Sequence, residues 1–174
     1  MLGIAHRVVP PEVDETRRPG EDPAAYVSRL AREKAGVVAA REPDALVLGA
    51  DTTVVLAADL FGKPETPDEA AAMLRRLAGR THQVYTGVAL ARGERIESLL
   101  DVSDVTFRPL DDAAIAAYVA TEEPMDKAGA YAIQGRGAAL IAGIRGDFFG
   151  VMGLPLRLVL ELLERFGRPY RFTR

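Results

Sequence analysis

The sequence contains no cysteine, which excludes disulfide scaffolds, cysteine nucleophiles and thiolate metal sites. It has no apolar stretch of the roughly 18 residues that a membrane-spanning helix needs, and no signal-peptide pattern at its start. The formal net charge is only −3 and no basic or acidic run dominates, so no nucleic-acid or membrane-binding surface is expected. These absences favour a soluble, cytoplasmic protein.

Lysine is also scarce, because only three of the 22 basic residues are lysines: Lys34, Lys63 and Lys127. Each stands beside small residues or proline. Lysine is a compact point charge, whereas arginine is a broad planar fork, so a chain that uses arginine nearly everywhere can keep lysine where only a point charge fits. Three leftover surface lysines are the alternative, and residue frequency alone does not decide between the two.

The length and composition are those of one globular domain. The chain has 174 residues, of which 48% are hydrophobic and 27% charged, enough to bury a sizeable core. We find neither a tandem repeat nor an inter-domain linker. We therefore treat residues 1–174 as a single domain.

Helix and strand signals alternate along the chain, which indicates an α/β or α+β fold. The capping residues and apolar periodicity predict four helices, over about 23–41, 67–78, a short stretch after Asp111, and from Pro155 to before Gly167. Strands are predicted over 45–57 and, as two or three strands, over 81–109. Short β-like runs are predicted within the glycine-rich segment, around 130–134, 138–142 and 148–152.

Two charged residues stand where apolar ones are expected. Asp51 interrupts the buried strand over 45–57, and Lys34 lies on the apolar stripe of the first helix. A buried charge is costly unless it is paired or binds a ligand. Asp51 followed by Thr52 could hold Mg²⁺ and orient a water, although a strand-end Asp bonded to nearby backbone is the alternative.

Other polar residues give weaker signals. Glu33, next to Lys34, could be a second metal ligand, but a solvated helix residue is the commoner case. The amide of Gln134 can donate and accept hydrogen bonds, which suits the edge of a base, yet an exposed turn residue is the simpler interpretation. His6 and His82 lack metal-ligand spacing and are interpreted as structural or exposed.

Taken in order, six short segments resemble the Maf family of nucleoside triphosphate pyrophosphatases, over about residues 13–166. Together they are far more specific than any one alone. The matching segments are Glu33-Lys34-Ala35, Gly49-Ala50-Asp51-Thr52, Gly62-Lys63-Pro64, Gly79-Arg80-Thr81-His82-Gln83-Val84-Tyr85-Thr86-Gly87-Val88, Lys127-Ala128-Gly129-Ala130-Tyr131-Ala132-Ile133-Gln134-Gly135 and Gly153-Leu154-Pro155.

The resemblance implies cleavage of a nucleotide between its α- and β-phosphates, giving a monophosphate and pyrophosphate, with Mg²⁺ or Mn²⁺. The tract that ends at Gln134 is similar to the branch that acts on dTTP and UTP. The implied fold is a Maf/ITPase-like α/β (α+β) structure, with a mixed, elongated central sheet flanked by helices, two lobes and a cleft. A homodimer is also implied.

The same resemblance assigns roles to individual residues. It implies that Asp51 accepts the proton of the attacking water and is also a metal ligand with Glu33. It implies that the remaining matched residues bind the substrate or select its base: Thr52, Gln134, Lys34, Lys63 and Lys127.

The chain departs from the family pattern in two places. Members usually open with a strand and a Ser-x-Ser-Pro-Arg-Arg loop that binds phosphate, and this sequence contains no such motif. We expect the chain to be N-terminally truncated relative to the family, and a lost phosphate-binding Arg to lower the rate by ~10²–10³. The second departure is Gly150, where many members have Asn.

Two alternatives to a dTTP/UTP pyrophosphatase stay open from sequence. The first is a non-catalytic nucleotide-binding regulator of septum formation, which a missing phosphate loop would favour. The second is a 7-methyl-GTP pyrophosphatase, a branch that usually has Glu where Gln134 stands.

Overall fold

The structure, a computed structural model, describes residues 2–172. Residues 2–22 form an irregular segment without helix or strand, as their proline content predicts. The helices that follow are α1 (Pro23–Arg41), α2 (Pro67–Leu77), α3 (Asp112–Val119), α4 (Phe148–Val151) and α5 (Leu156–Arg165), with 3₁₀ turns at Glu123–Asp126, Ala128–Ala130 and Gly135–Leu140. Within residues 2–172, no helix combines the length and the apolar character needed to cross a bilayer.

Five strands form one sheet in the order β2-β1-β3-β4-β5, and every neighbouring pair is antiparallel. The strands are β1 (Val47–Leu56), β2 (Asp59–Phe61), β3 (Thr81–Arg92), β4 (Arg95–Phe107) and β5 (Ile141–Arg145). Because β2 pairs only with the last three residues of β1, the rest of β1 is a sheet edge within the described part of the chain. The predicted α/β (α+β) class is confirmed.

The helices α1, α2 and α3 each begin at a side-chain cap, at the residues where the sequence predicts their starts. Asp22, Thr66 and Asp111 each accept a hydrogen bond from the backbone N–H three residues on, at 2.9, 3.2 and 2.7 Å. Thr66 and Glu69 have the spacing of a capping box at α2, but only half of it forms, since the carboxylate of Glu69 accepts from the N–H of Glu65 and not from that of Thr66.

Two glycines allow α1 to lie unusually close to the sheet. A Cβ added at Gly87 would lie 2.5 Å from the carbonyl oxygen of Val27, and one at Gly49 would lie 2.5 Å from that of Ala31. The rest of the contact is built from small side chains: Ala31, Ala35 and Ala39 of α1 against Ala89 and Ala91 of β3. This close packing of α1 against the sheet fixes the position of the α1 side chains relative to β1.

The buried apolar residues fall into separate clusters along the sheet. The largest surrounds Phe107 and collects residues from α2, α3, β2 and the 3₁₀ turns. Two smaller ones lie under α1 and under α5.

The glycine-rich segment is where the predicted elements are mostly wrong. Residues 130–134 contain no strand, and the run at 148–152 is a short helix, α4, whose cap Asp147 accepts from the backbone of Phe149 at 2.9 Å. Only the middle run contributes a strand, and that strand begins at Ile141. Gly129 and Gly135 have φ of +71° and +74°, which breaks the extended backbone that the apolar pattern suggested.

Candidate active site

A cavity of about 450 Å³ lies beside the edge of β1 and is lined by Ala50 to Val54 of that strand. It brings together all three lysines of the chain with Asp51 and Thr52, which the sequence alone could not show. Its polar lining consists of Glu15, Tyr26, Lys34, Asp51, Thr52, Thr53, Lys63, Asp126 and Lys127. Its apolar lining includes Val54, Val84, Tyr131, Val151 and Met152.

Lys34 joins two carboxylates at one end of this lining. Its Nζ lies 2.7 Å from Asp51 Oδ1 and 2.7 Å from Glu15 Oε1, and its side chain is only 16% exposed. The backbone of Glu15 is held by the hydroxyl of Tyr26, which donates to its carbonyl at 2.9 Å. The lysine on the apolar stripe of α1 is therefore paired, as its position requires.

Burial and ion pairing act in opposite directions on this pair. Burial raises the pKa of Asp51 above its ordinary value, and the hydrogen bond from Lys34 offsets this only in part. Burial acts to lower the pKa of Lys34, but the hydrogen bonds to Asp51 and Glu15 outweigh it, so that this pKa is raised. The site thus keeps a positively charged lysine beside a carboxylate that binds protons more readily than usual.

Glu15 is the site residue that sequence reasoning missed. It lies in an irregular acidic stretch with Glu12 and Asp14, and no periodicity marks it out. Only the fold shows that this segment lies beside α1, close enough for Glu15 to contact Lys34.

Lys63 and Lys127 come from two loops that one backbone contact brings together. The N–H of Gly129 donates to the carbonyl oxygen of Gly62 at 3.0 Å. A Cβ at Gly129 would lie 2.9 Å from the side chain of Val54, so glycine allows this loop to lie against β1. Lys127 pairs with Asp126, whereas Lys63 forms no ion pair with any residue in the range 2–172.

Thr52 lies on the opposite side of β1 from Asp51, since successive side chains of a strand alternate. Its hydroxyl oxygen is 2.8 Å from that of Thr86, the residue paired with it on β3. Thr86 is fully buried and donates to the carbonyl oxygen of Gly150 at 2.8 Å. Thr52 therefore lines the cavity with a hydroxyl that Thr86, on the neighbouring strand, orients by a hydrogen bond.

Glu33 is not among the residues that line the cavity. Its carboxylate oxygens each accept a hydrogen bond at 3.1 Å, one from Arg18 and one from Arg29. Its role as a metal ligand stays a prediction, and Glu15 is the carboxylate that the structure places beside the Lys34–Asp51 pair.

Gln134 is exposed and likewise does not line the cavity. Its loop is held by Glu123, which accepts from the backbone N–H of Arg136 at 3.0 Å and of Gly137 at 2.7 Å. Tyr131, three residues earlier, does line the cavity. The role of Gln134 in selecting the base stays a prediction.

The structure explains why glycine, and not a larger residue, stands at position 150. A Cβ at this position would lie 2.2 Å from Oδ2 of Asp101, a buried carboxylate that pairs with Arg157 and accepts from Ser103 at 2.8 Å. The chain therefore combines a glycine at 150 with a buried acid at 101, and no side chain fits between them.

Tyr131 is held in place by His82. The Nε2 of His82 lies 2.8 Å from the hydroxyl of Tyr131, and both rings pack edge-on against Phe107. His82 is buried, its Nδ1 has no hydrogen-bond partner, and burial lowers its pKa to about 4. The interpretation of His82 as a structural residue is consistent with this packing.

The buried His82 predicts an acid-sensitive fold. Because its folded pKa of about 4 lies below the ordinary value of 6.5, its contribution is present above pH 6.5 and is lost as pH falls toward 4. We expect about 2 kcal/mol of that contribution to be lost by pH 5. Urea unfolding of the wild type and of His82→Gln at pH 7 and pH 5 measures it, and the same pH dependence in both would contradict the assignment.

The carboxylates of the cavity have the chemistry of a site for a divalent cation. No group of three His, Asp or Glu side chains suited to a metal occurs in the described part of the chain. Mg²⁺ does not need one, since it binds through one or two carboxylates together with substrate phosphates and waters. Asp51 and Glu15 are both within 2.7 Å of Lys34 Nζ, so two carboxylates of this kind line the cavity.

Comparison with known proteins gives one consistent result. The family model described as Maf-like protein matches residues 1–166. A dTTP/UTP pyrophosphatase of Myxococcus xanthus is 55% identical over 168 residues, which are 97% of this chain and 85% of the relative. Proteins with the same description from Symbiobacterium thermophilum and Moorella thermoacetica are 52% and 54% identical, over 97% and 95% of this chain and 87% of each relative. The chain belongs to the Maf family.

Proposed function

We propose that this protein hydrolyses dTTP and UTP to the nucleoside monophosphate and pyrophosphate. The observation that carries the proposal is that all three lysines and Asp51 line one cavity. Its volume of about 450 Å³ lies within the range of small-ligand sites, roughly 300–1,000 Å³. The names of relatives at 52–55% identity support the same substrates.

The triphosphate is bound by Lys34, Lys63 and Lys127, whose ammonium groups are point-charge donors suited to phosphate oxygens. Two of the three reach the cavity from loops and one from α1, so the folded protein places positive charge around the ligand before it arrives. Such preorganised charge stabilises the negative charge that develops on the leaving pyrophosphate.

Asp51 accepts the proton of the attacking water. Lys34 occupies Oδ1 of Asp51, and no described residue hydrogen-bonds Oδ2, which leaves that oxygen to orient a water. The raised pKa of Asp51 makes it a stronger base than an ordinary aspartate, provided that it is ionised at the working pH. The water then attacks the α-phosphorus, and the bond from that phosphorus to the bridging oxygen of pyrophosphate breaks.

A divalent cation, Mg²⁺ or Mn²⁺, is part of this proposal. Asp51 and Glu15 would hold it together with phosphate oxygens of the substrate. When bound, it would supply positive charge to the phosphates and lower the charge repulsion met by the incoming water.

The experiment that tests the proposal measures products and binding side by side. We expect dTTP and UTP to give the monophosphate and pyrophosphate in equal amounts, with no nucleoside diphosphate and no inorganic phosphate. Calorimetry with a non-hydrolysable UTP analogue then measures binding separately from turnover. Saturable binding without pyrophosphate release would overturn the enzymatic proposal and support the nucleotide-binding regulator.

A further inference from the structure

A chain of three hydrogen-bonding groups runs from the protein interior to the cavity. It starts at the carbonyl oxygen of Gly150, passes through the hydroxyl of Thr86 and ends at the hydroxyl of Thr52. Both steps are 2.8 Å long. Thr86 is fully buried, whereas Thr52 lines the cavity.

The hydrogens of this chain have a defined direction. A carbonyl oxygen can only accept, so the single hydroxyl hydrogen of Thr86 is used in its bond to Gly150. The contact between the two threonines then requires Thr52 to be the donor. The hydrogen of Thr52 therefore points back into the protein, and the cavity meets only the lone pairs of its oxygen.

We infer that Thr86, whose own hydrogen is taken by the carbonyl oxygen of Gly150, makes the Thr52 hydroxyl an obligate acceptor toward the cavity. This acceptor selects bases with a ring N–H over bases with an unprotonated ring nitrogen. Thr86 is thus a positioning residue for specificity. This inference rests on the proposed function, because it takes a pyrimidine nucleotide to be the ligand of the cavity.

The chemistry of the pyrimidines makes this a discriminating contact. On the ring edge of thymine and uracil, N3–H is the donor, and the two carbonyl oxygens beside it are acceptors. Cytosine has an unprotonated acceptor at N3. A hydroxyl that can only accept pairs with N3–H of thymine or uracil, but with cytosine it faces N3, a second acceptor. Leaving such buried groups unpaired costs ~1–3 kcal/mol, about 5- to 150-fold in affinity.

Gly153 keeps the open side of this hydroxyl accessible. It has φ of +100°, a backbone conformation that other residues rarely adopt, and a Cβ there would lie 3.3 Å from Oγ1 of Thr52. The loop that closes over Thr52 therefore brings backbone, without a side chain, next to the oxygen that would meet the base.

The test compares the binding of non-hydrolysable UTP and CTP analogues to the wild type, Thr86→Val and Thr86→Ser by calorimetry. Valine has the shape of threonine but no hydroxyl, so it frees the hydrogen of Thr52 to point into the cavity and donate to N3 of cytosine. Serine retains the hydroxyl and is the matched control. We expect the wild type to favour UTP by about 10- to 100-fold, Thr86→Val to lose at least tenfold of that preference, and Thr86→Ser to keep it within about twofold.

A merely structural role for Thr86 would weaken both ligands together and leave their ratio unchanged, which would overturn the inference. Thr86→Val is also measured in a Thr52→Val background, where it should no longer alter the ratio. If Thr86→Val does not fold, Thr86→Ala takes its place in the same cycle. If the wild type binds neither nucleotide, the proposed function fails, whereas UTP binding with no preference over CTP overturns the inference alone.

Discussion

Replacing Asp51 by Asn should lower pyrophosphate release from dTTP and UTP by about 10³-fold, the size expected when a general base is removed. Asparagine has nearly the same shape but cannot take the proton of the attacking water. It also leaves Lys34, whose side chain is only 16% exposed, without the carboxylate at 2.7 Å. The measurement is the steady-state rate of pyrophosphate release at saturating nucleotide, beside the affinity for a non-hydrolysable UTP analogue.

The matched control is Asp59→Asn, which removes an exposed carboxylate from β2 that pairs with Arg76 outside the cavity. That variant should retain the wild-type rate. Binding of the UTP analogue should survive in both variants, because the three lysines that hold the phosphates and the second carboxylate of the proposed cation site, Glu15, are unchanged. If Asp51→Asn turns over nucleotide at the wild-type rate, another group activates the water and the role given to Asp51 is wrong.

The pH profile gives a second view of the same residue. Because burial raises the pKa of Asp51, the rate should start to fall, as the pH is lowered, at a higher pH than an ordinary aspartate with a pKa of 3.8 would allow. The positive charge of Lys34 persists over this range, since its own pKa is raised. The loss of rate on the acid side therefore reports protonation of the carboxylate and not loss of the ammonium.

The helices of this protein were predictable because local chemistry decides where they begin. Asp22, Thr66 and Asp111 supply a side-chain acceptor to the first turn, and this preference does not depend on the rest of the fold. The same holds for β1, whose β-branched run was predicted to within two residues at its start. The glycine-rich segment was not predictable, because its backbone at positive φ is tied to distant parts of the chain, as by the hydrogen bond from the N–H of Gly129 to the carbonyl oxygen of Gly62.

The candidate site was predictable only in part, for a related reason. Lys34 and Asp51 could be singled out as charges among apolar neighbours, a pattern that is visible in the sequence without the fold. Glu15 could not, since its neighbours are polar and its function depends on where the irregular segment crosses α1. Thr86 could not be singled out either, because threonine is common in β-strands, and only its contacts with Thr52 and Gly150 distinguish it.

Replacing Gly87 by Ala should destabilise the protein by about 3 kcal/mol or more, toward the upper end of what overpacking costs. The new methyl group would lie 2.5 Å from the carbonyl oxygen of Val27 and 2.8 Å from its carbonyl carbon, both backbone atoms that cannot rotate away. The helix α1 must therefore move off the sheet. Because Lys34 is on α1 and Asp51 is paired with Gly87 across the sheet, that movement also lengthens the Lys34–Asp51 contact.

Gly143→Ala is the matched control, because it makes the same substitution in β5 at a position with no atom within 4 Å and no positive φ. That variant should be neutral or up to ~1 kcal/mol more stable, as expected when alanine reduces the freedom of the unfolded chain. Urea unfolding measures both, and pyrophosphate release at a temperature where both are folded should fall up to about 10²-fold in Gly87→Ala alone, the cost of misplacing catalytic groups by about 1 Å. Equal stability of the two variants would show that α1 does not depend on a bare backbone at this crossing. A destabilised Gly87→Ala that retained full activity would instead separate the position of α1 from the chemistry, and the geometry of the Lys34–Asp51 pair would then not limit the rate.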